Sequence, residues 1–189
     1  MVRNVFQAKQ KGVGLVEILV ALMVFSIGML GIASLQVVSK RSSFEAQQRQ
    51  EAVFMANDMI SRIKNSGLTP SQIKAYYDDQ NFSSGSVPES PHDCLVNNCD
   101  AEQLVAYDLS RWHKNIYGSA VEAGSGEKVS GLLGARGCID VEQAGSEITK
   151  VTVTIAWLSM SSLSGDRDRV CAIGDSAKQR EVSINTFII

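Results

Sequence analysis

The chain has 189 residues, of which 44% are hydrophobic, 20% charged and 6% aromatic, and its formal net charge is -2. These values exclude a disordered charged tail, a multi-span membrane protein and a strongly basic nucleic-acid-binding domain. The average conceals an uneven distribution. Residues 1–12 (MVRNVFQAKQKG) hold three of the 18 basic residues and no acid, so the remainder carries 15 basic against 20 acidic side chains, or -5.

From Ile18 to Ser39 no residue is charged (ILVALMVFSIGMLGIASLQVVS, 22 residues). As a helix this run is roughly 33 Å long, enough to cross a hydrocarbon core of about 30 Å. It is too long and too uniformly apolar for a core helix with a solvated face. A cleaved secretory signal would need a shorter apolar stretch and a small-x-small cleavage site. No cysteine follows the run, so a lipoprotein signal is absent too. Arg3, Lys9 and Lys11 favour a cytoplasmic leader, whereas Lys40 and Arg41 flank the other end, so flanking charge alone leaves the orientation open. Four cysteines, all beyond residue 90, favour an oxidising compartment for the remainder.

Glu17 stands at the edge of the apolar run, preceded by Val13, Gly14, Leu15 and Val16. A carboxylate there is costly in lipid and calls for a partner. Cleavage after Gly12 would create an α-ammonium on Val13, close to Glu17 of the same chain or of a neighbouring copy.

Residues 40–66 continue as helix, with no Pro and no Gly, and rich in Glu, Gln, Arg, Ala and Met. Ala52, Val53, Ala56, Ile60 and Ile63 fall on one side, with Met59 bordering them. Gly67 is the expected C-cap and Pro70 closes the segment. The helix would cover 13–66, about 80 Å, with half of it needing a partner outside its own head. Gly28 and Gly31 fit close helix packing, or a soft point in the apolar half.

Pro70, Pro88 and Pro91, with the Asn, Ser and Asp around them, predict a loop over 70–91. Asp100 caps a helix over 100–117, with Gln103 as its capping-box partner. Ala101, Leu104, Val105, Leu109, Trp112 and Ile116 form the apolar side of that helix, with Trp112 a core anchor. Six glycines over 118–137 make a connection without a phosphate-loop spacing. Strands are expected over 137–141, 150–157 and 181–188, with Val151, Val153, Ile155 and Trp157 facing inward. Long helix, loop, then antiparallel sheet gives an α+β class.

The sequence KGVGLVE, followed directly by ILVALMVFSIGMLGIASLQ, resembles the class III signal of type IV pilins and pseudopilins. The resemblance implies a pilin fold, in which a long N-terminal helix packs on a small antiparallel sheet. It implies cleavage by a prepilin peptidase after Gly12, methylation of Val13, and a role for Glu17 as the glutamate of the mature N-terminus. Val13 replaces the family's usual Phe or Met. A cut after Gly14 would instead leave Glu17 as the third residue and lose the spacing.

Within the family, VEILVALMVFSIGMLGIASLQ is most similar to a subgroup of minor pilins. So is a Cys–short gap–Cys pair (Cys94, Cys99) followed by a DLxxW helix (Asp108, Leu109, Trp112). The implied organisation is leader 1–12, membrane or filament-core helix 13–39, amphipathic half 40–66 and periplasmic head 67–189. The implied partners are other minor pilins, the major pilin, the prepilin peptidase, an inner-membrane assembly platform and a tip adhesin. The implied location is the inner membrane and then the pilus.

Four cysteines allow three pairings, of which Cys94–Cys99 and Cys138–Cys171 are favoured, one local and one joining a strand to the loop before the last strand. A zinc site through His92, Cys94 and Cys99 lacks a second chelating pair nearby. No metal, cofactor, nucleic acid or catalytic activity is expected. The chain has two histidines, no H-E-x-x-H and no G-x-S-x-G. Two other classes share part of the pattern: a minor pseudopilin of a type II secretion system, and a signal-anchored periplasmic enzyme or receptor. The latter needs neither Gly12 nor Glu17.

Overall fold

The computed structural model describes residues 14–82, 90, 92–118, 132–144, 148–162, 171–172 and 177–189. Among the described residues there are three helices: α1 (Leu15–Asn65), α2 (Pro70–Tyr77) and α3 (Ala101–Ile116). The strands are β1 (Gln80–Phe82), β2 (Arg136–Ala144), β3 (Ile148–Leu158) and β4 (Gln179–Ile188). The class is α+β. Phe44–Ile189 form one compact unit, and the described residues before Phe44 belong to another.

The strands lie in the order β1-β2-β3-β4, all neighbours antiparallel. Cys138 faces Thr154 and Val153 faces Ile184 across the ladders. One core joins Ala52, Met55, Ala56, Met59, Ile60 and Ile63 of α1 to residues of α2, α3 and the sheet. The buried positions 48, 52, 55, 56, 59, 60 and 63 follow helical spacing. Met55 and Met59 are therefore full core members, whereas Val53 is only half buried.

The segment 70–91, expected as a loop, contains α2 and β1. Thr69 caps α2 by accepting the Gln72 amide, the Gln72 side chain returns to the Thr69 amide, and Pro70 stands in the first turn. Pro70 thus opens a helix, because the first turn has no use for its missing N–H. The chain turns out of α1 through Gly67, whose φ of 68° suits glycine.

α3 starts as its capping box predicts: Asp100 accepts the Gln103 amide at 2.9 Å, and Gln103 accepts the Asp100 amide at 3.2 Å. Ala101 is exposed and Leu104 half buried, and Ser110 and His113 take up the buried face instead. β3 departs from simple alternation. Besides Val151, Val153, Ile155 and Trp157, it buries Thr149, Thr154 and Ala156. Ala156 packs with Cys138 and Cys171, and Thr154 shares a 2.8 Å hydrogen bond with Ser183.

The two sheet edges differ. Beyond β1, the Val141 amide donates to Asp78 at 3.0 Å and its carbonyl accepts from Lys74 at 2.9 Å, with Lys74 and Asp78 paired at 2.7 Å. Two side chains thereby occupy backbone groups that an edge would otherwise leave open. The Lys74 ammonium and the Val141 amide hold the Asp78 carboxyl below its ordinary range. β4 pairs only with β3 among the described residues.

Candidate functional site

α1 begins where the described residues begin. The Gly14 carbonyl accepts the Glu17 amide at 2.9 Å and the Ile18 amide at 3.4 Å, so Glu17 lies in the first turn. A carboxylate there is favoured by the unpaired N–H groups of the helix start. Gly12 and Val13 lie outside the described residues.

Every described residue from Gly14 to Phe44 is exposed, including all the large hydrophobics between Leu15 and Val38. Each such side chain would gain about 1.5–3 kcal/mol on burial. α1 is the one helix, among the described residues, long and apolar enough to cross a membrane. Its polar groups suit that role: the Ser26 hydroxyl donates to the Leu22 carbonyl at 2.7 Å, satisfied within the helix. Gly28 and Gly31 have nothing within 4 Å of where a Cβ would stand, so both surfaces are open to close helix approach.

In the second unit, the DLxxW residues of α3 have a common target. Asp108 and Trp112 are four apart, hence on one face. Asp108 pairs with Arg62 of α1 at 2.6 Å, and the Trp112 indole N–H donates to the Met55 carbonyl at 2.9 Å. Arg62 also pairs with Asp58 at 3.0 Å. Trp112 is fully buried against Gly137 of β2, where an added Cβ would lie 2.6 Å from the indole. The motif thus bolts α3 to α1 while its ring fills the space beside a glycine. Tyr77 lies deep in the same core, and burial raises its hydroxyl pKa above the ordinary value.

Cys94 is bridged to Cys99 and Cys138 to Cys171, and no described cysteine is free. On the loop-entropy model the short bridge contributes roughly 2 kcal/mol and the long one roughly 4 kcal/mol. No cluster of three or more His, Cys, Asp or Glu able to hold a metal occurs among the described residues. His92 is exposed, and His113 is buried with its ring centroid 4.5 Å from that of Tyr117.

The capping box of α2 and a cluster around Glu45 both escaped sequence reasoning. The Thr69–Gln72 capping box has a sequence signal, T-P-S-Q, which the three prolines of the region masked. The Glu45 cluster has none: Glu45 accepts hydrogen bonds from Ser159, at 2.8 Å, and from Ser161, while Arg180 also contacts Ser161. The hydroxyls of Ser161 and Ser159, with the nearby Arg180, lower the Glu45 pKa.

The family model described as the prokaryotic N-terminal methylation motif matches residues 7–33. No curated protein and no solved structure matches the chain. The matched segment contains Gly12, Val13, Glu17 and the uncharged run as far as Ala33. It supports a type IV pilin-like or pseudopilin protein, and the α+β arrangement is consistent with the type IV pilin fold. The motif implies processing by a prepilin peptidase in a membrane context of pilus assembly, and with the apolar helix it fits a single-span, membrane-anchored protein.

Proposed function

We propose that this chain is a minor pilin of a type IV pilus, similar to PilV, that acts with other minor pilins in priming assembly and presenting a tip adhesin. The observation that carries this reading is a spacing. Glu17 stands five residues after Gly12, in the first turn of α1 and at the head of a 22-residue uncharged run.

The prepilin peptidase cuts after Gly12, and Val13 becomes a methylated ammonium that keeps its positive charge. Residues 13–39 hold the subunit in the inner membrane, residues 40–66 are the amphipathic half of the helix, and 67–189 form the periplasmic head. Two disulfides favour that side of the membrane.

On assembly, Glu17 of one subunit meets the Val13 ammonium of the next. In an apolar filament core, either charge alone would be a costly orphan, so the pair sets the axial register. The protein enters the processing chemistry as a substrate and is not itself a catalyst. The assembly platform and the major pilin are its further partners.

The test is Glu17→Ala. Processing at Gly12 is expected to continue, while recovery of the protein in sheared pili falls at least about tenfold. Unchanged recovery would contradict the register mechanism. Recovery in a secretion pseudopilus, and not in a pilus, would favour the pseudopilin alternative.

A further inference from the structure

The Cys94–Cys99 loop presents two adjacent aliphatic side chains to solvent, Leu95 at 74% and Val96 at 80% exposure. Isolated exposed aliphatics are ordinary. These two stand on a mount that is already built. The Asp93 carboxylate accepts the Leu95 amide at 3.0 Å. The Asp93 carbonyl accepts the Val96 amide at 3.3 Å, the Asn97 amide at 3.0 Å and the Asn97 side chain at 3.1 Å. The disulfide closes the loop, and Asp100 immediately caps α3. Ordering such a tip on binding costs little, because its backbone donors and its ends are already fixed.

The chain on either side of the tip is acidic. Asp93, Asp100 and Glu102 are exposed, and no Lys or Arg occurs from residue 75 to residue 110. An apolar tip with an acidic collar is repelled by an anionic lipid surface. It complements a concave protein surface with an apolar floor and a basic rim.

We infer that Leu95 and Val96 form a docking knob that inserts into an apolar, Lys/Arg-rimmed socket on another protein. The inference goes beyond the pilin assignment and uses none of the N-terminal residues.

The test places the photo-crosslinking residue p-benzoylphenylalanine, one position at a time, at Leu95, Val96 and Phe54 of the full chain in its native membrane. Phe54 is an exposed control on α1. A discrete protein adduct is expected from positions 95 and 96 and not from 54, and its crosslinked peptide should combine apolar residues with Lys or Arg. Asp93→Asn with Asp100→Asn keeps the acceptor for the Leu95 amide and the helix cap while removing two charges. This pair is expected to reduce the adduct at least about threefold, as is raised salt. No adduct, an adduct to lipid, equal labelling from position 54, or a yield indifferent to both the double variant and salt would overturn the inference.

Discussion

Leu30 and Phe54 stand on the same helix with nearly the same exposure, 71% and 72%, yet their surroundings differ in kind. Leu30 lies within 22 uncharged residues, none of them buried by the chain's own fold. Phe54 is an isolated apolar residue on a stretch whose other face is buried at Ala52, Met55, Ala56 and Met59. Exposure alone therefore does not reveal the solvent. The pattern around the residue does: an apolar surface on every side needs lipid or neighbouring helices, whereas an apolar stripe needs only its own domain.

The sharpest way to break this contrast is to place the same charge at both positions. Leu30→Asp puts a carboxylate near the middle of the span, at about 2.5–3.5 kcal/mol on insertion scales. The variant is expected to be lost from the membrane fraction. Phe54→Asp, at the other end of the scale, is expected to stay within about 0.5 kcal/mol of the parent in thermal unfolding.

Between these extremes lie the contacts of the second unit. Trp112→Ala removes a fully buried ring and the hydrogen bond to Met55. A loss of about 3–5 kcal/mol is expected, read as a lower Tm, with membrane insertion unchanged. Gly137→Ala sets a methyl 2.6 Å from the Trp112 ring and 2.8 Å from Ile116. About 1–3 kcal/mol should be lost.

A smaller effect belongs to the plugged sheet edge. The Asp78 carboxyl is held below its ordinary pKa chiefly by Lys74, so its contribution is present above the unfolded value of about 3.9 and is lost as pH falls through the folded value. Asp78→Asn should lower the Tm at neutral pH, and the gap from the parent should narrow on acidification below about pH 4. A constant gap would show that the charge of Asp78 does not stabilise this edge.

Much of the architecture was legible because periodicity and capping are local. The helix expected over 13–66, the Asp100–Gln103 box and the alternation of Val151, Val153, Ile155 and Trp157 each mark an element within a few residues of its observed limits. What was not legible depends on residues distant in sequence. Arg62 meets Asp108, Asp78 meets Val141, and Glu45 meets Ser159 only because the fold brings them together. Thr154 and Ala156 read as outward positions, and become buried through the Ser183 hydroxyl and the Cys138–Cys171 bridge. At the N-terminal segment the position is reversed. The spacing of Gly12, Val13 and Glu17 is entirely a matter of sequence, and the chemistry proposed for it requires an enzyme and a neighbouring subunit that lie outside the fold.

The mass of the mature protein's N-terminal peptide, isolated from membranes, is the most direct measurement of the central assignment. The peptide should begin at Val13 and carry one methyl group on its amine, with residues 1–12 gone. An intact leader, or a new N-terminus at Leu15 after cleavage at Gly14, would contradict it.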